Sequence, residues 1–335
     1  MSTRDRALGA FYGLAIGDAL GMPTQSMSRE DIVTHYGFIR SLRDAVAEQP
    51  ISPNLPAGTI TDDTEQAVLV ADLLIGGSGT IDPMVFGKAL LDWESGMVAR
   101  GLADLLGPST KRALKLLESG TDPEEAGRGG TTNGAAMRIT PVAIATPPDL
   151  GGLVEAVAAA SKLTHNTNVG IAGASAVAAA VSAGIDGADL STALDQGEHA
   201  AALGARKGWW CAGGDIACRI RWARRWVRGM DRTTLSYAVS KVIGTSVAVQ
   251  ESMVAAFALA EALGDTPVEA LTTAAGLGGD TDTIAAVLGA ILGAQHGISG
   301  FPVDLLTKVR EVNALDLEPA VDGLLELRGQ FSVRR

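Results

Sequence analysis

The chain has 335 residues, 47% hydrophobic but only 4% aromatic, and 27 Lys+Arg against 38 Asp+Glu give a net charge of −11. That length holds one large domain or two small ones, and the apolar share is enough for a substantial core. Net negative charge repels nucleic acid and anionic membrane, which excludes both as general partners.

Ala and Gly are abundant, so the core should consist of many helices in close approach rather than a few packed around large rings. Cys211 and Cys218 do not form a C-x-x-C pair and have no His beside them, which fits a reduced, cytoplasmic protein. No signal-peptide core follows Met1, and the longest small-apolar run, 170–185, is short for a bilayer span.

Helical periodicity dominates, and convincing strand alternation is absent. The first helix is predicted from Thr3 toward Asp18, with Gly21 and Pro23 as stop signals. Ser28 and Asp31 suggest a capping box for a short helix to Tyr36, and 40–60 reads as a loop. Asp82-Pro83 opens a helix to about Val98, and Ser109 to Ser119 makes another. Residues 121–132 form a second long loop. Helices are then expected near 149–162, 167–183, 189–204, 213–228, 233–242, 246–263, 267–275, 281–296 and 302–313. No repeat and no low-complexity linker divides the chain, so residues 1–335 are read as one all-α domain.

Two short stretches carry the chemistry. Thr61-Asp62-Asp63-Thr64 opens one apolar helix, and Gly278-Gly279-Asp280-Thr281-Asp282-Thr283 opens another. Oxygen donors this dense suit Mg²⁺, Mn²⁺ or Ca²⁺. The plainer explanation is that Thr61 and Asp280 are helix caps, with acids in the first turn favoured by the macrodipole. One cap satisfies only one or two amides, however, and four carboxylates brought together repel unless a cation sits among them.

Three further segments accompany them. Gly17-Asp18-Ala19-Leu20-Gly21 places a polar group on an apolar helix, either a buried hydrogen-bonded Asp or a functional one. The Gly-rich run 128–138 has free amides at a helix start, which cradle phosphate in other proteins, but it is not a Walker loop. His165 lies at a polar helix junction, as a structural His or as a donor to ribose or phosphate. The basic, Trp-bearing stretch 206–228 reads as a solvated face, an internal ion-pair layer or a subunit contact, with Trp222 and Trp226 forming a packing stripe.

In this order the motifs resemble the ADP-ribosylglycohydrolase family. The matching elements are Gly17 to Gly21, Thr61 to Thr64, Asn133-Gly134-Ala135-Ala136-Met137-Arg138, Thr164-His165 and Gly278 to Thr283. The resemblance implies a single orthogonally packed, all-α multi-helix domain with two Mg²⁺ or Mn²⁺ ions in a metal-lined cleft. The implied ligands are Thr61, Asp62, Asp63, Asp280, Asp282 and Thr283. Asp282 would bridge, and Asp63 or Asp280 would orient or deprotonate water. Gly130, Thr131, Asn133, Gly134 and His165 would hold the distal ribose and diphosphate. Family members often carry Glu four residues after the first motif; here Gln25 stands there, which holds a hydroxyl or water but is no carboxylate base. The implied activity is hydrolysis of a ribosyl glycosidic bond releasing ADP-ribose. Hydrolysis of free nucleosides and non-catalytic binding of ADP-ribose or a nucleotide stay open, as does the oligomeric state.

Overall fold

The computed structural model describes residues 1–100 and 106–333. Among them the regular secondary structure is helical, residues 37–61 form a long loop as expected, and the only sheet-like pairings are isolated bridges, Thr132 with Ala248 and Thr167 with Trp209. The helices are α1 (Thr3–Gly21), α2 (Arg29–Tyr36), α3 (Asp62–Gly76), α4 (Pro83–Ala99), α5 (Pro108–Glu118), α6 (Pro123–Ala126), α7 (Gly134–Met137), α8 (Thr140–Ala145) and α9 (Leu150–His165). They continue as α10 (Asn168–Ile185), α11 (Leu190–Gly204), α12 (Ile216–Val227), α13 (Arg232–Ala238), α14 (Val249–Leu263), α15 (Pro267–Ala274), α16 (Thr281–His296), α17 (Val303–Asn313) and α18 (Glu318–Val333).

The most intimate pair is α1 with α16. An added Cβ at Gly13 would lie 2.2 Å from the Gly289 carbonyl oxygen, and one at Gly9 would lie 2.3 Å from that of Gly293. The two backbones therefore touch directly, as only glycine permits. This contact brings the start of α16, with Asp282, beside the end of α1, with Asp18. Helix α10 is buried along Val169–Ile185 and fills the middle of the core. It is long and apolar enough to cross a membrane, but 94% of it is buried inside the fold, so its all-round apolar surface faces protein. One continuous apolar cluster runs from Ala7 to Leu327.

Several elements differ from the sequence expectation. The predicted 121–132 loop contains the four-residue α6. Helix α8 starts at Thr140 with Pro141 in its first turn, where a missing N–H costs nothing. The 233–242 helix ends in a π-helical turn, Val239–Ile243. Helix α18 was not foreseen, although Pro319 at its start and the spacing of Leu317, Val321 and Leu324, all buried, mark it. Trp222 and Trp226 do not form a core stripe. They stack on each other with ring centroids 5.2 Å apart and stay 43% and 36% exposed, while Ile220, Ala223 and Val227 take the buried face of α12. The arginines there form an ion-pair layer: Arg221 with Glu198, Arg224 with Asp195 and Glu261, Arg228 with Glu261.

Candidate metal centre

Helices α3 and α16 begin at the same place. Asp62, Asp63 and Asp282 each offer an oxygen, and these oxygens lie within 4.8 Å of one another. The Thr283 hydroxyl donates to Asp63 Oδ2 at 3.2 Å across 220 positions of sequence. The turn before α16 is set by Gly278 and Gly279 at φ 82° and 79°, a conformation side chains resist. It is pinned to the loop after α1 by Gly279 N to the Met27 carbonyl (2.9 Å) and Ser26 N to the Gly279 carbonyl (2.7 Å).

These acids are not spent on capping. Asp82, Asp149, Asp189, Asp215 and Asp231 each cap their own helix by accepting a backbone amide. Thr61 and Asp280 occupy the N-cap positions of α3 and α16 and make no such bond. The amides of α3 are satisfied instead from another helix. Asp18 of α1 accepts Thr61 N (2.9 Å), Thr61 Oγ1 (2.8 Å), Thr64 N (3.1 Å) and Thr64 Oγ1 (2.5 Å). This cap in trans leaves the side chains of Asp62 and Asp63 free to face α16.

The electrostatics are those of crowded, buried like charges. Burial, the largest cause, pushes Asp18 and Asp280 up to about 6. Burial also holds Asp62, Asp63 and Asp282 well above the carboxylate range. Neighbouring charges add to this: Asp18 and Asp280 for Asp62, Asp282 and Asp62 for Asp63, Asp280 and Asp62 for Asp282. Asp63 Oδ1 is buried with no hydrogen-bond partner. An orphaned carboxylate oxygen among mutually repelling acids fits a hard divalent cation, which would neutralise the charge and fill the missing contact.

The acids lie in a cleft of about 320 Å³. Its wall includes Gln25, Asp62, Asp63, Asn133, Gly134, Asp280, Asp282 and Thr283. Asn133 uses its amide nitrogen twice, donating to Asp280 Oδ2 and to Ser252 Oγ (3.0 Å for the latter). Gln25 donates to Ser52 Oγ at 3.1 Å. Some predicted residues stand behind this wall. Thr61 is fully buried with its hydroxyl proton directed at Asp18. Gly130 packs against the Thr164 carbonyl, where a Cβ would lie 2.1 Å away, and the Thr131 carbonyl accepts Val249 N at 3.3 Å. His165 is fully buried with both ring nitrogens engaged, to Thr164 Oγ1 (2.8 Å) and Thr132 Oγ1 (3.0 Å), so Thr132 stands between it and the cleft. Sequence reasoning placed Thr132 within the ligand-holding loop 130–133 without singling it out, and missed Thr110, Lys111 and Val247 as lining residues. Thr132 and Val247 meet through the bridge beside Ala248, a long-range pairing with no local signature.

The family profile described as ADP-ribosylglycohydrolase matches residues 1–332. An Escherichia coli protein, uncharacterized protein YegU, is 35% identical over 97% of this chain and 98% of its own. The ADP-ribosyl-[dinitrogen reductase] glycohydrolase of Rhodospirillum rubrum is 29% identical, with 98% of each chain covered. The ADP-ribosylarginine hydrolase Tri1 of Pseudomonas putida is 27% identical over 91% of this chain and 74% of its own. A solved structure titled ADP-ribosylglycohydrolase-related protein complex shares the fold, with TM-score 0.69 at 24% identity over 98% of this chain and 99% of that one.

Proposed function

The chain belongs to the ADP-ribosylglycohydrolase family, a family of glycosidic-bond hydrolases, and from that premise we propose that it is a divalent-metal-dependent enzyme releasing ADP-ribose from an ADP-ribosylated substrate. The observation that carries this is the meeting of Asp62, Asp63 and Asp282 in one buried group. Those three would hold the metal, with Asp280 and Thr283 adjoining and Thr61 behind. When bound, one or two Mg²⁺ or Mn²⁺ ions there supply positive charge that offsets the acids and orients ribose hydroxyls and water.

The chain's own groups do the rest. Cleavage at the anomeric carbon builds positive charge, which the surrounding carboxylates stabilise. Asp280, held by Asn133 in the cleft wall, or Asp63 beside it, is placed to orient the attacking water and accept its proton. Asn133 and Gln25, which both line the cleft, hold ligand hydroxyls. Burial of the acids excludes bulk water, so each of these contacts acts in a low dielectric. The enzyme acts in the cytoplasm.

The test is product release from ADP-ribosyl-arginine, ADP-ribosyl-serine and free nucleosides, with and without EDTA. ADP-ribose from the modified arginine, lost on chelation, is the expected result; full activity in EDTA ends the metal reading. One observation favours a second substrate class: Gln25 puts an amide in the cleft where the family resemblance implies a carboxylate. Free base released from nucleosides, with ADP-ribosyl substrates untouched, would establish that class instead.

A further inference from the structure

We infer that Glu251 is a positioning residue for the reaction: its carboxylate fixes the connecting strap 244–248, and that strap sets where Asp280 stands against Asn133. This deepens the proposed function and rests on the role given there to Asp280.

Residues 244–248 join the π-helical turn Val239–Ile243 to α14 and belong to no helix. The strap nonetheless carries backbone bonds to two separate pieces of the cleft wall. The Thr245 carbonyl accepts Asp280 N at 2.7 Å, and the Val247 carbonyl accepts Asn133 N at 3.0 Å. Asn133 and Asp280 then meet side chain to side chain, Nδ2 donating to Oδ2. Both partners of that bond therefore take their backbone positions from the same short strap. Asp280 needs this support, since it stands at the N-cap position of α16 with no side-chain cap bond there. The approach is close: a Cβ on Gly279 would lie 2.3 Å from the Thr245 carbonyl oxygen.

Burial does not hold the strap, because Thr245 is only half-buried and Ser246 and Val247 are exposed. Polar pins hold it instead. Arg219 of α12 donates Nη2 to the Ile243 carbonyl at 3.1 Å, which fixes the entry. In the middle, Glu251 Oε2 accepts Ser246 N at 3.0 Å, and Ser246 Oγ accepts Ala248 N at 3.2 Å. Ser246 lies between Thr245 and Val247, so this carboxylate grips the residue that joins the two anchoring carbonyls. Gly244, at φ 96°, makes its seat, since a Cβ there would fall 2.4 Å from both Cδ and Oε2 of Glu251. Glu251 also stands in the first turn of α14, where an acid complements the helix dipole. A dipole role alone makes no demand on Asp280. The strap does, because a shift of about 1 Å at a reacting group costs up to about 100-fold in rate.

The experiment is steady-state turnover of ADP-ribosyl-arginine by the Mn²⁺-loaded full chain. E251A should lower kcat by about 10- to 100-fold with KM little changed, the pattern of lost alignment in the transition state. E251Q keeps an acceptor oxygen for Ser246 N and should recover most of that kcat. The double variant N133A/E251A should be hardly slower than N133A alone, since both changes undo one alignment. A lower melting temperature in E251A with kcat unchanged assigns Glu251 to α14 alone and overturns the inference while leaving the proposed function standing. Additive losses in the double variant overturn it too. Should E251A not fold, E251D, whose shorter side chain draws back from Ser246 N, is expected to lose kcat in the same sense, and full kcat there overturns the inference. Failure of wild type to release ADP-ribose overturns the proposed substrate and this inference together.

Discussion

Thr283 donates its hydroxyl to Asp63, joining the first turn of α16 to the first turn of α3 across 220 positions of sequence. That bond is possible because α1 lies backbone to backbone against α16 while Asp18, near the end of α1, caps α3. The acidic centre is thus assembled by one helix that touches both of its halves.

Replacing Asp282 with Asn should abolish metal-dependent turnover, by at least about 100-fold. The same change removes one of the mutually repelling buried charges, so the metal-free protein should melt at a higher temperature than wild type. Thermal scans in EDTA and in Mn²⁺ check both halves: D282N should gain in EDTA and lose the Mn²⁺-induced rise. A D282N protein still stabilised by Mn²⁺ as strongly as wild type would contradict the assignment.

The metal-free protein should become more stable as pH falls from 7.5 toward 5. Asp18 and Asp280 sit at about 6 in the fold against about 3.8 unfolded, and Asp62, Asp63 and Asp282 are also raised well above the unfolded value. The folded state therefore binds more protons in that window, and stability is lost as pH rises through the folded values. His165 opposes this, since its depressed pKa gives stability above 6.5 that is lost on acidification, but it is one group against five. Saturating Mn²⁺ should reverse the trend, because the cation binds deprotonated ligands. Melting temperature against pH, with and without Mn²⁺, reads both slopes.

Asp18→Asn should weaken Mn²⁺ binding by about 10- to 100-fold while leaving the helical circular dichroism in place. Asn offers one acceptor oxygen where Asp18 uses two, so the hydroxyls of Thr61 and Thr64 lose their common anchor. Unchanged Mn²⁺ affinity in D18N would mean that the cap in trans serves α3 alone.

Gln25→Glu should raise turnover of ADP-ribosyl-arginine by about tenfold or more, a modest share of what a positioned acid or base contributes. Ser52 can reverse its bond and donate to the new carboxylate, so the loop geometry survives. Steady-state rates on ADP-ribosyl-arginine and on a nucleoside, compared in both proteins, test it.

Gly13→Ala should cost about 3 kcal/mol, the upper end of overpacking in a tight core. The added methyl would meet the Gly289 carbonyl, which is backbone and cannot rotate away. Denaturant unfolding measures it, and a loss below that of an ordinary surface substitution would show that α1 and α16 part easily.

The sequence by itself determined the helices and their chemistry. Apolar spacing, Pro at helix starts and Gly at stops are local signals, and α1, α3, α9, α10 and α16 lie where those signals put them. The two acidic stretches were legible for the same reason, since neighbouring residues at a helix start share one turn. Only the tertiary structure decided how the pieces meet. That Asp18 caps α3, that the N-cap positions of Thr61 and Asp280 leave their side chains uncommitted as caps, and that Thr132 rather than His165 faces the cleft each depend on contacts between remote segments. Such contacts leave no periodicity in the chain. They are set by backbone approach at Gly9, Gly13, Gly289 and Gly293, and by the need of buried polar groups for partners wherever in the chain those partners lie.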